Sequence, residues 1–174
     1  MQSMTTNSGK ATGNYGMAWQ SVCPPSPSPL HQFVATSLAA EIREQLHRNN
    51  GCHCVVVAET DWRIDPAIVV RPDVSFLCHG IPAKYIDYPP ALVAEVIPPA
   101  TEHKDRAVKR ALYQQQGVRW YLVIDAESKT VEFLELDSGQ YMERPASAAT
   151  ASSIALPLSN DCTIELVVER VFHH

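Results

Sequence analysis

Two acidic residues stand alone inside runs that otherwise read as buried strands. Asp73 falls within Ala67-Ile68-Val69-Val70-Arg71-Pro72-Asp73-Val74-Ser75-Phe76-Leu77, and Glu95 within Ala91-Leu92-Val93-Ala94-Glu95-Val96-Ile97. Both runs are rich in the β-branched residues that favour a pleated, covered surface. An unpaired charge in such a place is too costly to survive folding, so each carboxylate must be paired, hydrogen-bonded or bound to a cation. Two of them on neighbouring strands point to a site for a hard cation. The plainer alternative keeps both as structural acids, paired with Arg71 or another base.

The stretch that follows Glu95 supplies a third group. Pro98 and Pro99 cannot donate to a ladder and stop the strand. Thr101 is placed to cap a helix, Glu102 suits its positive end, and Gly117 is placed to end it. Asp105, Lys109, Leu112, Tyr113 and Gln116 then share one stripe at helical spacing, which brings Lys109 toward the acids. The alternative for Asp105 and Lys109 is an ordinary surface ion pair, worth only tenths of a kcal/mol. Arg119 to Asp125 is a further apolar strand, and strand, helix, strand in sequence implies a parallel pair.

Elsewhere the chain reads in short segments. Residues 1–25 lack any helical or strand period and run into Pro24-Pro25-Ser26-Pro27-Ser28-Pro29, so we expect an extended or disordered segment there. Residues 26–174 then form a single domain. Ser28 before Pro29 marks a helix start, and Val34, Leu38, Ile42 and Leu46 recur every fourth residue until Asn49-Asn50-Gly51 ends the helix. Val55-Val56-Val57 is a strand, Trp62 to Ile64 pairs nearby, and Asp65-Pro66 is a turn. Thr130 to Leu136 alternates as a half-exposed antiparallel strand turning at Asp137-Ser138-Gly139 into Gln140 to Glu143. Residues 145–153 read as a loop, and 164–172 as a short helix or strand.

A chain of 174 residues that is 45% hydrophobic can bury one sizeable core. No apolar run is long enough to span a bilayer and no cleavable leader pattern opens the sequence, so a cytoplasmic location without membrane attachment is expected. Five cysteines, an odd number without framework spacing, are expected to be reduced thiols. Cys52-His53-Cys54 and Cys78-His79 invite a zinc reading, yet no second pair at finger spacing completes four ligands. A net charge of -5 argues against coating nucleic acid by bulk attraction. A nuclease is still allowed, because bound metal and local bases such as Lys104, Arg106, Lys109 and Arg110 can supply positive charge at one place. No phosphate-binding glycine loop, nucleophile elbow or dinucleotide fingerprint occurs.

Several segments, in order, carry a resemblance: Pro27-Ser28-Pro29-Leu30-His31-Gln32, Val70-Arg71-Pro72-Asp73-Val74, Pro90 to Ile97, Thr101 to Val118, and Trp120-Tyr121-Leu122-Val123-Ile124-Asp125. Together they resemble the Uma-two family of restriction-endonuclease-like proteins, a branch of the PD-(D/E)XK nuclease superfamily. The resemblance implies an α/β fold with a three-layer core, a central mixed β-sheet flanked by helices, and a metal-dependent phosphodiesterase site. It identifies Asp73 with the PD aspartate, Glu95 with the second acid and Lys109 with a helix lysine. The lysine usual two residues after the second acid is replaced by Ile97, and the helix lysine is thought to take its place. His31 matches a recurrent position, with a helix-end contact as its plainer reading.

The implied activity is endonucleolytic hydrolysis of nucleic acid, DNA rather than RNA, with Asp73 and Glu95 holding Mg²⁺ or Mn²⁺. By analogy with superfamily members, a homodimer sets two sites against two strands. Two departures bear on activity. Pro98-Pro99-Ala100-Thr101 stands where the family has Ser-Pro-Ser-Thr, and the residues before the proline-rich run, Asn14 to Gln20, hold no carboxylate. A nuclease-fold module that binds nucleic acid or protein without cutting is therefore the rival reading.

Overall fold

The computed structural model describes residues 27–48, 51–97, 103–146 and 153–173, without the side chains of residues 103–105. Several expectations lie outside the described residues. These are the N-terminal segment 1–25, the Asn49-Asn50 helix end, Pro98-Pro99-Ala100-Thr101 with the Thr101 and Glu102 cap, and most of the 145–153 loop.

The first helix, α1, is Pro29–Arg48. It starts as its sequence demands, with the Ser28 hydroxyl accepting from the His31 backbone N–H at 3.1 Å, which satisfies one of the orphan donors of the first turn. Its four-residue apolar repeat buries Val34, Leu38, Ile42 and Leu46 against the sheet. Leu38 and Ile42 are wholly covered, so truncating either to alanine would cost about 3 kcal/mol.

The sheet has six strands: β1 (Val55–Ala58), β4 (Val74–Leu77), β5 (Leu92–Ile97), β6 (Trp120–Asp125), β7 (Thr130–Asp137) and β8 (Gln140–Glu143), adjacent in that order. Helix α2 (His103–Gln115) joins β5 to β6, and these two run parallel; every other neighbouring pair is antiparallel. Gly117, at φ 77°, takes the left-handed turn out of α2.

Period-two alternation divides the core between the two faces of this sheet. Phe76, Leu92, Ala94, Val96, Leu122 and Ile124 pack with α1 on one face. Leu77, Val93, Tyr121 and Val123 pack with Tyr113 of α2 on the other, joined by Trp62 from a small ribbon of β2 (Trp62–Arg63) and β3 (Val69–Val70). The mixed sheet between helical layers agrees with the expected α/β architecture.

Three local expectations are corrected. The apolar run around Asp73 is two strands, not one. Pro72 lacks the N–H a ladder needs, and β3 and β4 part on either side of Arg71-Pro72-Asp73, leaving Asp73 at the sheet rim. The C-terminal part forms β9 (Ser153–Ser159), β10 (Cys162–Val167) and α3 (Val168–Phe172), with β9 and β10 an antiparallel hairpin. Pro157 within β9 obscured that hairpin in the sequence. Finally, four cysteines are paired rather than reduced: Cys52 with Cys162 and Cys54 with Cys78. Their separations of 110 and 24 residues are set by folding, which no local spacing reveals. Among the described residues, no helix is long and apolar enough to cross a membrane.

Candidate active site

Antiparallel pairing of β4 with β5 matches Val74 with Ala94, and continuing that register by one residue sets Asp73 opposite Glu95. The two lone acids of the sequence therefore meet across one strand pair. Asp73 Oδ2 accepts the Val96 backbone N–H at 2.8 Å, a bond that fixes the carboxylate over the end of β5. The same oxygen lies 3.0 Å from His31 Nε2, which reaches across from the first turn of α1. Both side chains are 17% exposed, so the pair sits at the rim with limited access to water.

Glu95 lies deeper, at 3% exposure, on the face covered by α2. Lys109 Nζ is 3.0 Å from its Oε2, and the Tyr113 hydroxyl donates to its Oε1 at 2.7 Å. Lys109 and Tyr113 are four residues apart and so share one side of the helix. Burial pushes the Glu95 carboxyl up to about 7; the Lys109 charge opposes that rise, the negative charge of Asp73 adds to it, and the Tyr113 and Lys109 hydrogen bonds pull it down. Burial, together with Glu95, also drives the Tyr113 phenol well above its ordinary range, leaving it a neutral donor.

The structure thus brings Asp73, Glu95 and Lys109 together, and adds two residues. His31 is more than a helix-end contact, since its ring touches Asp73. Tyr113 stood on the same stripe as Lys109, and that stripe was the only sequence signal for it. The other local bases serve the fold instead: Arg106 pairs with Glu132 on β7, and Arg110 donates to the Tyr141 carbonyl at 3.2 Å. The side chain of Lys104 lies outside the described residues.

The family model described as Uma2, "Putative restriction endonuclease", matches residues 19–166. The chain belongs to the Uma2 family. The resemblance carried by the Asp73, Glu95 and Lys109 segments is thereby borne out, and this Uma2 chain falls in a family of restriction-endonuclease-like nucleases. Its fold is similar to that of a crystal structure described as a putative nuclease belonging to DUF820 from Anabaena variabilis ATCC 29413. That likeness has a TM-score of 0.64 at 14% identity, over 85% of this chain and 83% of the other. A comparison with curated proteins finds no match.

The Uma2 site can be tested for its fit to a divalent ion. Two carboxylates opposed across a strand pair, one of them pushed up to about 7 by its burial, form the oxygen donor set that a hard cation favours. Ser75 Oγ, two residues beyond Asp73 on β4, and His31 Nδ1 are buried without a partner, so the surroundings also hold unmet hydrogen-bonding groups. Among the described residues no cluster of three or more His, Cys, Asp or Glu side chains is arranged for a metal. Asp73 and Glu95 by themselves would leave most of a hard cation's coordination to water rather than to protein.

Proposed function

We propose that this chain is a metal-dependent endonuclease that hydrolyses phosphodiester bonds of nucleic acid, with DNA preferred over RNA. The observation supporting it is the convergence of Asp73, Glu95 and Lys109 at one sheet rim, within a family of restriction-endonuclease-like nucleases. The preference for DNA rests on that family's character. A homodimer, placing one site on each strand, belongs to the same proposal.

Asp73 and Glu95 would hold Mg²⁺, with Mn²⁺ as its substitute. Such an ion, when bound, polarises the scissile phosphate and lowers the pKa of a water beside it. The protein's own groups keep the acids in register: the Val96 N–H and His31 hold Asp73 Oδ2, while Tyr113 and Lys109 hold the two oxygens of Glu95. Lys109, a compact ammonium on a flexible stem, would orient the attacking water or stabilise charge developing on the phosphate.

The test is purified protein on plasmid, linear and single-stranded DNA and on RNA, with Mg²⁺, Mn²⁺ or a chelator. Cleavage is expected with either metal and lost on chelation or in Asp73→Ala. Cleavage undiminished in Asp73→Ala would overturn the reading. The rival, a non-cutting nucleic-acid-binding module, is favoured by one observation: Lys109 already closes an ion pair with Glu95, which competes with a metal for that carboxylate. Nucleic-acid binding without any metal affinity would select the rival.

A further inference from the structure

On the α1 face, far along β1 from the acids, the two cysteine pairs lie side by side. Continuing the β1–β4 register past Val55 and Leu77 sets Cys54 directly opposite Cys78, and their Cα atoms are 4.0 Å apart. Cys52, two residues earlier, joins Cys162 at the start of β10 with a Cα separation of 4.7 Å. This bond ties the β9–β10 hairpin to the approach to β1.

A cleft of about 440 Å³ opens against both pairs, a size within the range of small-molecule sites. Arg43 and His47 of α1, His53, Cys52, Cys54 and Ile81 contribute to its wall, and among the described residues no carboxylate does. Cys162 is 1% exposed and Cys54 6%, whereas Cys52 and Cys78 are partly covered, and of these two Cys52 lines the cleft.

We propose that this cleft is a thiol–disulfide exchange site for a small thiol carrying carboxylates, independent of the nuclease reading. The Arg43 guanidinium attracts the carboxylates and places the thiolate against Cys52 Sγ. A bond forms between the incoming sulfur and Cys52 Sγ while the Cys52–Cys162 bond breaks. Cys162 leaves as a thiolate and takes a proton from solvent. A second thiolate then attacks the incoming molecule's sulfur, freeing Cys52 and releasing a symmetrical disulfide. In balance, two small thiols are oxidised and one protein disulfide is reduced, which unties β10 from β1.

The test uses the full chain, oxidised, with Cys23→Ser so that only the paired cysteines report. Reduced glutathione and neutral 2-mercaptoethanol are compared at matched thiolate concentration, and adducts are located by peptide mass spectrometry. The glutathione adduct is expected on Cys52, forming about tenfold faster than the neutral one. That advantage should vanish in the Arg43→Gln/His47→Gln double variant, whose changes lie on the exposed side of α1, and in about 1 M salt on the parent protein. Equal rates for the two thiols, an adduct confined to Cys78, no adduct, or free thiols before any addition would each overturn the proposal.

Discussion

Lys109 meets Glu95 at 3.0 Å across 14 residues of sequence, the helix amine closing on a strand carboxylate that is almost wholly buried. Neither partner would be at ease alone, since the amine is the positive charge paired with an acid removed from water. Replacing Lys109 with methionine keeps most of the side-chain volume and removes the charge. Cleavage is expected to fall by about a hundredfold or more, with Mn²⁺ affinity retained because a competing cation has gone. Lys109→Arg is not expected to rescue cleavage, since a planar fork does not replace a point charge. Plasmid nicking rates and calorimetry on the same preparations check both halves.

The raised carboxyl of Glu95 has a consequence for stability in the absence of metal. In the unfolded chain this group titrates near 4.5, and in the folded protein at about 7. Below the first value both states hold the proton; between the two the folded state holds more, so its advantage is lost as pH rises through about 7. The loss is on the order of 3 kcal/mol. Urea unfolding of chelator-treated protein should show this decline, and Glu95→Gln, which cannot ionise, should flatten it.

Tyr113 donates to Glu95 from a fully buried position and stacks against Trp62 with ring centroids 5.9 Å apart. Tyr113→Phe keeps the stacking and deletes the hydroxyl, leaving Oε1 of a buried acid without its donor. We expect a loss of about 1–3 kcal/mol. The denaturant midpoint should move down with an unchanged slope.

Much of this was legible before any coordinates. Asp73 and Glu95 were conspicuous because a charge in an apolar run must be compensated, and the stripe through Lys109 and Tyr113 followed from helical spacing alone. The α1 repeat and the parallel β5–α2–β6 unit were equally plain. Other features depended on distant chain meeting distant chain. His31 could be placed at a helix start but not against Asp73, 42 positions away. The β9–β10 hairpin was masked by Pro157 and by the small residues before it. Cys52 and Cys162 gave no local sign of their pairing, because only the packing of both β1 and β10 against α1 brings them together.

His31 tests whether the orientation of the Asp73 carboxylate needs to be held. Its Nε2 engages Oδ2, and among the described residues no hydrogen bond engages Oδ1. His31→Ala should leave the fold intact, because the ring lies at a helix end, while weakening Mn²⁺ binding by about tenfold. His31→Gln, able to donate from a similar reach, should recover part of that loss in the same titration.

The most direct measurement is a calorimetric Mn²⁺ titration of the wild-type chain, Asp73→Ala and Glu95→Gln, each shown folded by circular dichroism. One site is expected in the wild type, with binding abolished by Asp73→Ala and weakened at least about tenfold by Glu95→Gln. Equal affinity in all three proteins, or no binding in the wild type, would contradict the claim that these two carboxylates together hold a divalent ion.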